Sequence, residues 1–109
     1  MGAMTRPTKL DHGDVDAWLS SHSGWAREGE TAIAKLFRVA DFGAALAFAV
    51  RLGMLAEKRD HHPDLTIGWG KVHVLWTTHD AGGVTRLDLE LAEATDTIGA
   101  SSASAASPA

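Results

Sequence analysis

The 109-residue sequence predicts a single α+β domain, in which three helices pack on one face of a four-stranded antiparallel sheet in the order α-β-β-α-β-β-α. Apolar residues recur at helical spacing over 42–58 and alternate over 72–78, and the hydrophobic content of 45% fits one compact core. The domain is expected over 11–98. It follows residues 1–10, interpreted as a cloning remnant and a lead-in, and precedes an Ala/Ser-rich tail at 99–109 that is expected to be disordered.

The first half of the chain predicts a helix, a hairpin and a second, longer helix. Residues 14–21 have an acidic start and apolar side chains at helical spacing, which indicates a short amphipathic helix. Strands are expected over 25–27 and 32–39, joined by a polar turn that contains glycine. Asp41 is a suitable N-cap for a helix over 42–58, whose wide apolar stripe should pack on the sheet.

The strands expected over 65–69 and 72–78 predict a second hairpin with a two-residue turn. If the residues that flank this turn face each other, paired residue numbers sum to 141. Extending this ladder places His62 level with His79. The hairpin register therefore predicts that histidines from two separate parts of the chain converge at one end of the sheet.

Residues 84–98 are ambiguous between strand and helix. Apolar residues alternate in one stretch, as in a strand, and also recur every three to four residues, as on a helix. We favour the helix, because Thr85 can cap its N-terminus and Asp88, three residues later, supplies the acidic member of an approximate capping box. The apolar stripe of this segment would also allow association between helices of two chains.

The composition excludes several classes of function. The net charge of −4 and the scattered basic residues give no basic stripe for a phosphate backbone, so no nucleic acid partner is expected. There is no cysteine, which excludes disulfides, thiolate metal ligands and cysteine nucleophiles. The longest apolar run, at 43–50, is far shorter than the roughly twenty residues needed to cross a bilayer, and no export signal is evident. We therefore expect a soluble cytoplasmic protein with no membrane partner.

Three of the six histidines are predicted to meet at one end of the sheet. His61 and His62 are adjacent in the sequence, and the hairpin register brings His79 level with them. Because histidine titrates near neutrality, such a cluster can hold one neutral ring as a base beside one protonated ring as an acid. Glu57 and Asp60 lie on the approach to the pair and could orient a ring or hold it protonated. The sequence therefore indicates a site for proton transfer.

Two other interpretations of the histidines stay open. The pair precedes Pro63, which disfavours helical geometry at His62, so the rings could simply satisfy a solvated helix end. Three histidines could also bind zinc, since catalytic zinc often has three protein ligands. Adjacent side chains diverge, however, and no HxH or HExxH spacing is present, so we rank a metal site below acid–base catalysis.

Four further residues are candidates for supporting roles. Thr77 and Thr78, at the strand end before His79, would offer hydroxyl and backbone groups to a polar heterocycle. Trp69 can belong to the core or form a platform for substrate, and the core is the commoner fate of a strand tryptophan. Asp88 is first an acid at a helix N-terminus, which is favourable with the helix dipole, and only second a site residue.

The spacing of these residues resembles the signature of a known family. It consists of Glu57, three residues, His61-His62-Pro63, five residues, Trp69, nine residues, His79, eight residues and Asp88. This pattern is similar to that of the pterin-4a-carbinolamine dehydratases, also called 4a-hydroxytetrahydrobiopterin dehydratases. The likeness extends to "GW" at 24–25, "DF" at 41–42 and "KVHV" at 71–74, and covers roughly residues 14–98. Several spaced positions are far more specific than a pair of histidines alone.

The resemblance implies the same α+β fold and the dehydration of 4a-hydroxytetrahydropterin to quinonoid dihydropterin, in tetrahydrobiopterin recycling. It implies that His61 and His79 are the acid–base residues, that His62 mainly positions the pterin, and that Glu57 and Asp60 support them. No metal or other cofactor is implied. The expected partners are the pterin substrate and further copies of this chain, in a homodimer or homotetramer.

The sequence departs from the common family pattern in two places. The loop at 80–83 is glycine-rich, and the run at 66–69 differs from the aromatic-rich version of animal members, which leaves the pocket rim and the preference for a pterin side chain open. Animal members also serve as dimerisation cofactors for a homeodomain transcription factor, a role that nothing in this sequence supports. The alternative from a different class of function is a non-catalytic module that binds a pterin or a protein partner.

Overall fold

The structure is a computed structural model that describes residues 7–105, with side chains as far as residue 101. Its helices are α1 (His12–Ser20), α2 (Phe42–Arg59) and α3 (Arg86–Ala105), and its strands are β1 (Ala26–Glu28), β2 (Ala32–Arg38), β3 (Asp64–Gly68) and β4 (Lys71–Trp76). The strands form one antiparallel sheet in the order β1-β2-β4-β3. The predicted fold class and order of elements are confirmed. The predicted cloning remnant falls within residues 1–6, outside the described residues.

One face of the sheet carries the core. In β4 the buried side chains alternate as Val72, Val74 and Trp76, which puts them all on the same face. They belong to one apolar cluster with Phe48 of α2 and Leu91 of α3, both of which are fully buried. The strongest packing partners of the sheet are therefore the two long helices. None of the helices formed by residues 7–105 combines the length and hydropathy needed to span a membrane.

The hairpin register differs from the prediction by two residues. Gly68 pairs with Lys71, so paired residue numbers sum to 139 rather than 141, and the turn consists of Trp69 and Gly70. Gly70 has a φ of 70°, which glycine adopts without strain, and its carbonyl accepts a hydrogen bond from the Val39 amide. A shift of two residues leaves every side chain on its original face of the sheet. The open end of the hairpin therefore still brings the segment around His62 close to the segment around His79.

Helix α3 is longer than predicted. The sequence predicts its end near Ile98 and a disordered tail from Gly99 onward, whereas the helix continues to Ala105. The composition explains the difference: an Ala/Ser-rich segment cannot build a core of its own, but alanine has the highest helix propensity and can extend a helix that has already formed. Residues 106–109, the remainder of the predicted tail, lie outside the described residues.

Candidate active site

The end of α2 places the two adjacent histidines. Asp60 follows the helix in the left-handed conformation, with a φ of 52°, and its amide donates to the carbonyls of the preceding turn. The amide of His61 donates to the Ala56 carbonyl at 3.2 Å, which closes the helix end. Aspartate tolerates this conformation better than most residues, and Pro63 then starts the chain toward β3. The reversal at Asp60 directs the chain across the end of the sheet.

His61 is bonded to a buried carboxylate. Its Nε2 lies 2.6 Å from Oδ1 of Asp88, which is on the first turn of α3 and has no exposed surface. Its ring stacks on the buried indole of Trp76, with ring centres 5.7 Å apart and planes 12° from parallel. Because a carboxylate only accepts hydrogen bonds, Nε2 carries the proton in this contact. Nδ1 is therefore the nitrogen left to exchange a proton with a ligand.

Asp88 also accepts the further hydrogen bonds that a buried carboxylate requires. Its Oδ2 accepts hydrogen bonds from the Thr78 hydroxyl at 2.7 Å and from the Thr85 amide at 2.9 Å. In the second contact the N-cap amide donates to the acidic member of a capping box, as the sequence predicts. The Thr85 hydroxyl lies 2.9 Å from the Thr78 oxygen and 3.4 Å from Asp88 Oδ2. Asp88 therefore stabilises the N-terminus of α3 and supports His61 at the same time.

The other two histidines are more accessible. His62 Nε2 lies 2.7 Å from Oε1 of Glu57, and their side chains are 58% and 76% exposed. His79 starts a short 3-10 helix, His79–Ala81, that the sequence does not predict, and it is exposed. Among the described residues, the His79 ring makes no hydrogen bond, so both of its nitrogens are open to a ligand. The three histidines therefore differ sharply in their surroundings.

An open cavity of about 270 Å³ joins these groups. It is lined by the helix end and by the residues that follow β4, namely Asp60, His61, His62, Thr77, Thr78, His79 and Asp80. A second cavity of about 180 Å³ shares four of these residues and is otherwise lined by Pro7 and Leu87. A larger groove between α2 and α3 has an almost wholly apolar lining, so it lacks groups for proton transfer. The chemistry is concentrated at the histidine end.

The structure thus brings together most of the predicted site residues. Six of them line the cavity, Glu57 reaches it through His62, and Asp88 lies behind His61. The hydroxyl of Thr77 does not face a ligand but donates to the Thr31 carbonyl at 2.5 Å. The functional roles themselves stay predictions. The described residues contain no group of three or more histidine and carboxylate side chains arranged to hold a metal ion.

Trp69 does not lie at this site. It occupies the turn between β3 and β4, at the opposite end of the hairpin, and is 71% exposed. Trp76, a fully buried residue of β4, is the tryptophan that contacts a site histidine. Asp80 also lines the cavity, and its position next to His79 is the signal that could have identified it.

Comparison with known proteins gives a consistent family. Residues 8–98 match the family model described as pterin 4 alpha carbinolamine dehydratase. A protein of Roseiflexus sp. strain RS-1 is 43% identical over 91 residues, which is 84% of this chain and 97% of that protein. One of Bradyrhizobium sp. strain BTAi1 is 51% identical over 82 residues, covering 74% and 83% of the two chains. Both carry the provisional name pterin-4-alpha-carbinolamine dehydratase.

Two solved structures with related names are similar to this chain. The crystal structure of a transcriptional coactivator/pterin dehydratase from Brucella melitensis matches with a TM-score of 0.79 at 32% identity, over 84% of this chain and 99% of that one. A pterin dehydratase-like protein described as a RuBisCO assembly factor of the alpha-carboxysome matches with a TM-score of 0.61 at 21% identity, over 72% and 92% of the two chains, which shows the fold alone. On the family model and the curated relatives, this chain belongs to the pterin-4-alpha-carbinolamine dehydratase family.

Proposed function

We propose that this protein catalyses the dehydration of 4a-hydroxytetrahydropterin, the pterin-4a-carbinolamine, to quinonoid dihydropterin and water. The observation that carries the proposal is the His61–Asp88 pair, which opens onto the same cavity as the His79 ring, a ring that has no hydrogen-bond partner among residues 7–101. Membership of the family supports the reaction class. We place the activity in tetrahydrobiopterin recycling in the cytoplasm, with no metal or other cofactor taking part.

The reaction requires two proton movements. The bond between C4a and the hydroxyl oxygen breaks, and the departing oxygen needs a proton to leave as water. A neighbouring ring nitrogen loses its proton, and its electron pair forms the new double bond to C4a. A positioned acid and a positioned base typically contribute a factor of about 10² to 10⁴ to such a step. Two histidines in different protonation states supply both groups without any other reagent.

The geometry gives each histidine a separate role in this proposal. His61 exchanges its proton through Nδ1, because Asp88 holds the Nε2 proton, and the stack on Trp76 fixes the plane of the ring. His79 is the second proton-transfer group, since its ring is exposed in the cavity. His62 is held by Glu57 at the rim and positions the pterin. Asp60, which also lines the cavity, has a carboxylate that would accept from the amino group and ring N–H groups of a pterin.

A non-catalytic module is the second candidate. The name of one solved relative favours it, since the Brucella melitensis protein is called a transcriptional coactivator/pterin dehydratase. In that case the cavity would bind a pterin, or remain as a remnant, while the protein acts through a partner. The two candidates differ in whether the carbinolamine decays faster in the presence of the protein.

The deciding experiment follows the decay of enzymatically generated carbinolamine with chelator-treated protein. The dehydratase predicts acceleration by the wild type, loss of this acceleration in the double variant His61→Ala/His79→Ala, and retention in His73→Ala. His73 is a suitable control because it lies in β4 and contacts Glu28 at 3.6 Å, away from the cavity. Equal activity in the double variant and the wild type would overturn the assignment. Pterin binding without acceleration by the wild type would favour the module, and stoichiometric zinc in the active protein would favour metal chemistry.

We also propose that the protein assembles as a homo-oligomer through α2. The helix exposes Phe42, Leu46, Val50 and Met54, between 46% and 66% each, at a spacing of four residues. Residues four apart lie on one face of a helix, so these side chains form a continuous apolar stripe. Several large apolar side chains exposed side by side are typical of an interface rather than of a free surface. A homodimer or a homotetramer would cover them.

A further inference from the structure

We propose that Thr85 is a positioning residue for His61. Its buried hydroxyl orders the Thr78 hydroxyl and the Asp88 carboxylate, and this arrangement holds the His61 ring in one tautomer. The predicted effect on catalysis rests on the proposed dehydratase function, but the effect on the tautomer does not. Thr85 lies outside the spaced signature, and its expected role was to cap α3.

The distances define a single chain of contacts. The Thr85 oxygen lies 2.9 Å from the Thr78 oxygen, Thr78 lies 2.7 Å from Asp88 Oδ2, and Asp88 Oδ1 lies 2.6 Å from His61 Nε2. Thr85 and Asp88 have no exposed surface, and Thr78 is only 8% exposed. Water therefore has little access to replace a missing member of the chain.

Hydrogen-bond chemistry fixes the direction of each contact. Asp88 accepts from Thr78 and from His61, since an ionised carboxylate has no proton to give. The single proton of the Thr78 hydroxyl is then used, so Thr78 can only accept from Thr85. With Oδ2 occupied by Thr78 and by the Thr85 amide, Oδ1 remains for His61. The Thr85 hydroxyl is therefore the first donor of a chain whose last member is the His61 ring.

Loss of this donor should loosen the arrangement. Without it, the Thr78 hydroxyl can rotate away from Asp88 and donate instead to His61 Nε2, which lies 3.5 Å from its oxygen, and that contact requires the Nδ1-protonated tautomer. This change allows the carboxylate and the imidazole to adopt alternative pairings. The backbone amide of Thr85 donates to Asp88 at the N-terminus of α3, and it is present whatever side chain residue 85 carries. Substitution of the side chain therefore separates the positioning role from this capping contact.

Two matched pairs of variants isolate the hydroxyl. Thr85→Val keeps the shape of the wild-type side chain and removes the hydroxyl, and Thr85→Ala differs from Thr85→Ser in the same way. Nitrogen-15 NMR above neutral pH reports the tautomer of His61, assigned with His61→Gln. We expect the Nε2-protonated form to dominate in the wild type and in Thr85→Ser, and a mixture in Thr85→Val and Thr85→Ala. An unchanged tautomer in both pairs would overturn the proposal. The second pair decides the question if the valine variant fails to fold.

Kinetics test the consequence for the reaction. We expect loss of the hydroxyl to lower kcat by about tenfold, the effect of one hydrogen bond, with little change in KM, because His61 rather than substrate affinity is affected. A changed tautomer with an unchanged kcat would show that Thr85 does not position His61 for catalysis. If the wild type has no dehydratase activity, the proposed function fails while the NMR comparison still decides whether Thr85 orders the ring.

Discussion

His61 Nε2 and Asp88 Oδ1 lie 2.6 Å apart, and this contact joins the end of α2 to the first turn of α3. The carboxylate that accepts the N-cap amide of α3 is thus the same group that orients a site histidine. Because Asp88 is fully buried, its charge is compensated by fixed donors, which are His61, the Thr78 hydroxyl and the Thr85 amide. The start of a helix and the orientation of the proposed proton-transfer group are therefore coupled.

We expect Asp88→Asn to lower kcat by about a hundredfold or more, the scale of losing one positioned acid–base group. The amide oxygen can still accept from Thr85 and Thr78, which turns the amide nitrogen toward His61 and favours the wrong tautomer of the ring. Steady-state kinetics measure the effect, and circular dichroism checks the fold. Glu90→Gln is the control, because Glu90 also lies on α3 but pairs with Arg59 at the surface. Full activity of Asp88→Asn would contradict the role of the pair.

His61 and His62 should respond differently to substitution. His62→Ala is expected to raise KM with a small change in kcat, since its exposed ring pairs with the exposed Glu57 and is proposed to position the ligand. His61→Ala is expected to lower kcat instead. Separate measurement of kcat and KM for the two variants tests this division. A fall in kcat for His62→Ala as large as that for His61→Ala would make His62 a proton-transfer group.

Thr95→Val should destabilise the fold. The Trp76 indole donates to the Thr95 hydroxyl at 3.0 Å, and both residues are fully buried, so valine would leave the indole N–H without an acceptor. An unsatisfied buried donor costs about 1 to 3 kcal/mol of unfolding free energy. Urea unfolding measures the difference. Thr97→Val, at an exposed position two residues later on the same helix, should change stability by less than about 0.5 kcal/mol. Equal effects at the two positions would contradict a stabilising role for the hydrogen bond between Trp76 and Thr95.

Gly99→Ala should also lower stability, although alanine favours a helix. A Cβ atom at Gly99 would lie 2.6 Å from the Phe37 ring, which is itself held edge-on between Trp25 and Phe48. Overpacking of this kind costs about 1 to 3 kcal/mol, more than the gain of up to about 1 kcal/mol in helix propensity. Thermal unfolding provides the measurement. Gly13→Ala, where a Cβ meets nothing within 4 Å, should leave stability unchanged or raise it. A stabilised Gly99→Ala variant would show that α3 and β2 can move apart to make room for the added methyl group.

A charge in the apolar stripe of α2 should reduce the oligomeric state. Val50 is 57% exposed at the middle of the stripe, and Val50→Glu would bury a carboxylate in the proposed interface. We expect light scattering to show an oligomer for the wild type at micromolar concentration and a smaller species for the variant. Ser20→Glu adds the same charge on exposed α1 and should leave assembly unchanged. A monomeric wild type would contradict the proposed homo-oligomer.

Local patterns predicted the elements well because each element has a strong local cause. Asp41 accepts from the Ala44 amide and starts α2 as expected, and the alternation in β4 correctly indicates its buried face. The register was wrong by two residues because Trp69 reads as a strand residue, whereas the φ of 70° at Gly70 places both in the turn. A register error of two residues leaves the side chains on their original faces of the sheet, so the predicted convergence of the histidines is still correct.

The site was predicted less completely because its contacts are long-range. The signature spacing locates His61 and Asp88, but no local pattern shows that one bonds the other across 27 positions. The hydroxyl of Thr77 was expected to face a ligand, yet its partner is a carbonyl 46 positions earlier in the chain. Thr85 reads as a helix cap from sequence alone, and only the folded chain places its hydroxyl against Thr78.

The parallel stack of Trp76 on His61 gives the protein an intrinsic optical probe. Indole fluorescence is sensitive to an adjacent imidazole and to an aromatic ligand nearby, so emission from the buried Trp76 should follow occupancy of the cavity. Trp69 is exposed at the far end of the same hairpin, so its fluorescence should not depend on occupancy of the cavity. Replacing Trp18, Trp25 and Trp69 by phenylalanine would leave Trp76 as the one indole and make ligand titration possible without a labelled pterin.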